Sequence, residues 1–237
     1  TIDDIMNGSK QAFEGGWNKV KFYFMLGLPT ETEEDMRGIP ELANDVAALY
    51  YDTVPKEKRA GKCQITISTS FFVLKPFTPF QWASQCTKDE FVEKAYLTRK
   101  AISEQLNQKS IKYNWHEADA SVLEGVLARG DRRLSQVLLY VYHKGCFYDA
   151  WSEYFHNDVW MEAFEACGLD PDFYSHRERP LDEILPWDFL DCGVSRAFLE
   201  REWQKAKNET ISPNCKQACQ GCGAARFGCG ICVEPRG

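Results

Sequence analysis

The sequence predicts an α/β fold in which the last two parallel strand–helix units of a (β/α) barrel are followed by a mainly helical region and a Cys-rich tail. Three observations predict it. Two runs of alternating residues, Lys19–Leu26 and Cys63–Val73, flank one segment of helical period, and strand–helix–strand with a single intervening helix implies a parallel crossover. From Thr87 onward the apolar residues keep a mostly helical spacing. Five of the ten Cys crowd between Cys215 and Cys232.

The elements follow in order. Thr1-Ile2-Asp3-Asp4 reads as a cap and first turn, Ile2, Ile5, Met6, Ala12 and Phe13 keep the helical period, and Gly15-Gly16 ends the helix. Val20, Phe22, Phe24 and Leu26 share one face of the next strand, with Lys19, Lys21, Tyr23 and Met25 on the other. Gly27 and Pro29 break it, and Thr30-Glu31-Thr32-Glu33 has capping-box spacing for a helix through Ile39, Leu42, Val46 and Leu49. The second strand sets Ile65, Ile67, Thr69, Phe71 and Val73 against Gln64, Thr66, Ser68 and Ser70. In a barrel the apolar side packs on helices and the small polar side faces the interior. Two parallel strands cannot close a barrel, so the missing strands are expected before Thr1.

Phe91, Ala95, Leu97, Ile102 and Leu106 predict a long helix, with a short strand after it at Ile111–Trp115. Ser121-Val122-Leu123-Glu124 has capping-box spacing, and Gly130 is expected to end that helix. Leu134–Tyr142, the aromatic-rich stretch Asp149–Phe164, and Val194–Lys207 read as further helices. The expected division is 1–118 for the barrel portion, 119–208 for the helical region and 209–237 for the tail.

Composition narrows function by exclusion. A chain of 237 residues, 44% hydrophobic and rich in aromatics, can bury a sizeable core. The net charge of −7 argues against neutralising nucleic-acid phosphates as its main task. No apolar run reaches membrane-spanning length and no leader is recognisable, so a cytoplasmic location is expected. Clustered thiols then read as metal ligands rather than disulfides, while Cys63, Cys86, Cys146, Cys167 and Cys192 read as reduced core residues.

Cys219-x-x-Cys222 and Cys229-x-x-Cys232 make two CxxC hooks, with Cys215 as a fifth candidate. Four thiolates on short Gly-rich loops suit tetrahedral Zn or, equally, an auxiliary iron–sulfur cluster. Arg129-Gly130-Asp131-Arg132-Arg133 could hold an anion; the alternative is a junction with Gly130 in a left-handed cap and Asp131 capping the next helix. The four His are scattered without ligand-pair spacing, and Trp151, Tyr154, Phe155, Trp160 and Phe164 form an aromatic stripe best explained by core packing.

The turn Gly27-Leu28-Pro29-Thr30-Glu31-Thr32-Glu33-Glu34-Asp35 and the strand exit Lys75-Pro76-Phe77-Thr78-Pro79-Phe80-Gln81-Trp82 together resemble the last two strands of the radical S-adenosylmethionine barrel. The branch is the one that often carries a cobalamin-binding domain. The likeness continues through Ser121–Leu134, Gly145–Trp151 and Pro186–Ser195 into the tail. The resemblance implies a parent enzyme in which a [4Fe-4S] cluster reductively cleaves S-adenosylmethionine for a radical modification or methylation, with cobalamin as a further cofactor. It implies backbone and apolar cofactor contacts from Met25, Leu26, Gly27 and Leu28 and from Val73, Leu74 and Lys75. The three-Cys cluster loop of that family has no counterpart near the start of this chain. Cys215-x-x-x-Cys219-x-x-Cys222 has its spacing but follows the barrel strands. The chain is therefore expected to be a C-terminal portion, inactive alone, whose partner is the missing N-terminal half and whose uncovered edge invites self-association. A non-catalytic, metal-stabilised module binding RNA or protein is the alternative.

Overall fold

A computed structural model describes residues 1–228 and resolves the chain into two compact units. One comprises Thr1–Phe72 and Cys86–Ser121; the other comprises Val73–Gln85 and the described residues from Val122 on. The strand exit 73–85, grouped by the sequence with 1–118, thus packs with the C-terminal unit.

The first unit is α/β. Helix α1 (Ile2–Glu14) opens on a reciprocal Thr1–Asp4 capping box, as the sequence predicts. Strands β1 (Lys19–Leu26), β2 (Gln64–Phe71) and β3 (Ile111–Trp115) form a parallel sheet in that order. Both expected strands and the short third one are present. Helices α2 (Glu33–Thr53) and α3 (Lys88–Ser103) are the crossovers. They cover the face carrying Leu26, Ile65, Ile67 and Phe71, all buried, and Phe71 stacks on Phe91 of α3 at 4.4 Å.

The opposite sheet face is open. Register places Lys21, Thr66 and Lys112 in one row and Tyr23, Ser68 and Asn114 in the next. Tyr23 is 76% and Met25 50% exposed. Among the described residues the outer edge of β1 has no strand partner.

Two caps lie elsewhere than expected. The cap of α2 is Thr32 with Asp35, two residues beyond the predicted Thr30 and Glu33. Thr30 sits at φ 70° in the turn, and its neighbour Glu31 has a different task. Ser121 is no cap at all, because α4 (Ala118–Arg129) has already begun and the Ser121 hydroxyl donates to the Glu117 carbonyl. The predicted long helix also stops at Ser103, leaving Leu106 96% exposed.

The second unit is mainly helical: the later part of α4, α5 (Leu134–His143), α6 (Asn157–Ala166), α7 (Pro171–Ser175) and α8 (Arg196–Lys207). Its core gathers Leu123, Val126, Val137, Val141, Trp160, Phe164 and Tyr174. The expected helix over Asp149–Phe164 is shorter, beginning at Asn157. The aromatic stripe accordingly splits, with Trp160 and Phe164 in the core and Trp151 and Tyr154 exposed. No helix of the described residues is long and apolar enough to cross a membrane.

Candidate functional site

Parallel sheets bind ligands at the carboxyl ends of their strands, and in the first unit the β1 exit is built with care. Gly27 adopts φ +85°, a conformation that favours glycine. A Cβ there would lie 2.4 Å from a Phe91 ring carbon and 3.3 Å from the Cys86 sulfur. Helix α3 therefore presses directly on the turn. The Gly27 N–H donates to the Glu31 carboxylate at 2.8 Å, and Lys94 of α3 pairs with the same carboxylate at 3.0 Å. The Glu31 side chain is only 6% exposed and that of Lys94 18%. A buried carboxylate needs such partners. Glu31 is thus a clamp between the turn and α3.

Cys86 completes this cluster, and burial pushes its thiol up to about 11. Burial likewise pushes the Cys63 thiol at the foot of β2 up to about 11. Cys63 is a core thiol, as expected from the sequence, whereas Cys86 is half-buried at the edge of the turn.

Of the first expected contact stretch, Leu26 is fully buried and its carbonyl accepts from the Phe72 N–H. Gly27 is engaged as described. Met25 is half exposed and Leu28 half-buried, the latter accepting from the Glu31 N–H. The other stretch, Val73, Leu74 and Lys75, belongs to the second unit. There Leu74 is 1% exposed, with its N–H donating to the Gln85 side chain, and Lys75 pairs with Glu124. Phe77 follows at φ 59°, its N–H donating to Gln81, which also accepts from the Trp187 indole.

The Arg-rich junction proves structural at Arg129, which is 0% exposed and donates to the carbonyls of Ala83, Ser175 and Arg177. Burial, reinforced by the charges of Arg179 and Arg177, pulls its pKa down to about 9. Arg133 folds back on Asp131. Gly130 is not left-handed; it is required because a Cβ would strike the Leu134 side chain at 2.0 Å. Asp131 accepts from the Arg133 N–H, while α5 has no side-chain cap. The Arg129 carbonyl also receives buried Arg179, a residue with no sequence signal beyond its type. Three His are exposed and His176 pairs with Asp172.

Among the tail thiols, Cys215 and Cys219 are exposed and Cys222 is half-buried; Cys229 and Cys232 lie outside the described residues. Among the described residues no three ligating side chains converge on one point. Cys192, expected in the core, is exposed.

No family profile and no solved structure matches the chain. An uncharacterized protein of Methanocaldococcus jannaschii is 34% identical over 137 residues, which cover 58% of this chain and 27% of that protein. The chain thus spans about a quarter of the relative it matches.

Proposed function

We propose that this chain is the C-terminal part of a radical S-adenosylmethionine enzyme, supplying the final strands of a barrel whose other strands lie outside these residues. The observation that carries the reading is the sheet itself. Three parallel strands have one face sealed by α2 and α3, while the face of small polar and basic side chains lies open and, among the described residues, the outer edge of β1 has no strand partner. Helices on one face and an open face on the other support reading the sheet as part of a barrel wall completed by further strands. The resemblance of the β1 turn and of the Lys75–Trp82 exit supports the assignment of the class.

In such an enzyme the iron–sulfur cluster supplies the electron that cleaves S-adenosylmethionine, and cobalamin would add methyl-carrying chemistry. The described residues do not fit the radical cluster, since no three ligands converge among them. What this chain contributes is a wall. The Glu31–Lys94 clamp holds the β1 turn rigid, and Met25, Leu28 and Val73 offer apolar contact. The tail thiolates are proposed to hold a separate structural metal.

The test is anaerobic iron–sulfur reconstitution of this chain alone and together with the polypeptide encoded immediately upstream, followed by reduction and quantification of 5′-deoxyadenosine. Product is expected only from the combined sample. A combined sample that releases none, or an upstream sequence without a three-Cys cluster loop, would overturn the reading.

A further inference from the structure

We propose that a cavity in the second unit, floored by the buried amide of Gln81, binds the uncharged planar ring of a small molecule that presents a carbonyl or ring-nitrogen acceptor, the chemistry of a nucleobase. The inference goes beyond the barrel reading and does not depend on it.

The cavity, about 320 Å³, lies where two segments far apart in the chain meet. Phe77 and Gln81 come from the Lys75–Trp82 exit, and Trp187 and Leu190 from Pro186–Ser195; Leu199 of α8 completes the apolar wall. Its volume suits a small ligand.

Gln81 is the decisive residue. It is 3% exposed, and its two hydrogen bonds both fall on Oε1, from the Phe77 N–H at 3.0 Å and the Trp187 indole N–H at 2.8 Å. Two donors on one atom fix which way the amide is turned, since a carboxamide nitrogen accepts no hydrogen bond. The Gln81 Nε2 donates to no group among the described residues, and the side chain lines the cavity. A buried NH2 without an acceptor is costly, so the geometry calls for an acceptor supplied from the cavity. The parts that hold the amide are themselves fixed. Phe77 stands at φ 59°, a conformation that a bulky side chain adopts only under constraint. The buried Arg179 guanidinium lies over the Trp187 ring at 5.3 Å.

Charge decides the class. The four ionised side chains that line the cavity pair off, Arg196 with Asp188 at 2.9 Å and Arg226 with Asp191. Arg196 is further held by Glu200 at 3.0 Å. Matched pairs leave no spare cation for a phosphate and no spare carboxylate for an ammonium. What is left unused is the Gln81 NH2 and the apolar surface of Phe77, Leu190 and Leu199. A flat ring with an acceptor on its edge uses both; a fatty chain lacks the acceptor, and a sugar lacks the apolar face.

The experiment is saturation-transfer NMR and calorimetry of the full chain with adenosine, guanosine, cytidine and uridine, and with the matching 5′-monophosphates. At least one nucleoside is expected to bind at about 1 mM or tighter, with its base protons taking the saturation and its monophosphate binding no more tightly. Gln81→Glu keeps an oxygen for Phe77 and Trp187 but replaces the NH2 by an acceptor, and should weaken binding at least about tenfold. Leu190→Glu alters a side chain that is 53% exposed and should weaken binding at least about threefold without unfolding the chain. Ile184→Glu, at an exposed position outside the cavity, should match the parent. Where circular dichroism shows Gln81→Glu unfolded, the contrast between Leu190→Glu and Ile184→Glu decides. The proposal is overturned if no nucleoside binds up to about 5 mM, if binding keeps its parental strength in Leu190→Glu or in folded Gln81→Glu, or if a monophosphate binds more tightly than its nucleoside. None of these outcomes touches the release of 5′-deoxyadenosine on which the barrel reading stands.

Discussion

Removing the Glu31 carboxylate should loosen the β1 turn, and the structure sets both the size and the order of the effects. Glu31→Ala leaves the Gly27 N–H without its acceptor and Lys94 without its partner, both beneath α3. A buried donor left unsatisfied costs about 1–3 kcal/mol, and a fully buried broken ion pair about 3–5 kcal/mol. Lys94 is 18% exposed and flexible, so its ammonium can turn toward water and recover part of that cost. The net expectation is about 2–4 kcal/mol for Glu31→Ala. Glu31→Gln keeps an oxygen for Gly27 and loses only the charge, so about 1–2 kcal/mol is expected, whereas Lys94→Met strands a carboxylate only 6% exposed and should cost about 2–4 kcal/mol. The double variant Glu31→Gln, Lys94→Met should recover about 1 kcal/mol or more relative to additivity. Urea unfolding followed by far-ultraviolet circular dichroism gives these values from the midpoints. A Glu31→Ala chain within about 0.5 kcal/mol of the parent would show that the clamp does not hold the turn.

Four further outcomes follow from the same contacts. Gly27→Ala should destabilise by about 2–4 kcal/mol through the left-handed backbone and the clash with Phe91, and adding Phe91→Leu should recover part of it in the same unfolding assay. Arg129→Ala should cost about 3 kcal/mol or more, and Arg129→Lys nearly as much, because one ammonium cannot reach three carbonyls; equal stability of the Lys variant would refute the fork. Because the Cys63 thiol rises from 9.0 to about 11 on folding, the folded state holds its proton longer, so its contribution is complete below pH 9 and lost as pH rises to about 11. Between pH 9 and 11 the parent should lose about 2–3 kcal/mol more stability than Cys63→Ala, and in native alkylation at neutral pH exposed Cys192 and Cys219 should react well before Cys63 and Cys86. Finally, the unpaired β1 edge predicts concentration-dependent self-association, which monomeric sedimentation at high concentration would refute.

The strands were legible because each has one sealed face. Period-two alternation in Lys19–Leu26 and Gln64–Phe71 is the direct imprint of α2 and α3 lying on one side of the sheet. Capping boxes were less so, since the spacing of Thr or Ser to Glu recurs by chance within acidic runs. At Thr30 the expectation fails because this residue is left-handed at φ 70° and Glu33 turns to Arg37, so the extended N-cap conformation falls to Thr32 with Asp35. Arg129 was misleading for a different reason. Its three acceptors lie far along the chain in either direction, and nothing in Arg-Gly-Asp-Arg-Arg distinguishes a buried fork from a solvated one. Cys192 was read by its apolar neighbours, yet Phe189 and Leu190 are themselves exposed.

The fate of the seven expected cofactor contacts bears on what the chain can do alone. Leu26 and Leu74 are core side chains, the Gly27 N–H is committed to Glu31, and Lys75 is paired with Glu124. In the first unit this leaves Met25 and Leu28, and in the second Val73, as side chains free to touch a ligand. Burying one apolar side chain contributes about 1.5–3 kcal/mol, against an association cost of at least about 4 kcal/mol. Neither stretch by itself carries enough to hold S-adenosylmethionine, whose carboxylate, amine and ribose need polar partners. Calorimetry of the isolated chain with S-adenosylmethionine is therefore expected to show no saturation up to about 1 mM, which corresponds to roughly 4 kcal/mol of binding. Micromolar binding by this chain would mean that its open sheet face carries polar recognition of its own, and the proposed role as a wall would have to give way to that of a complete site.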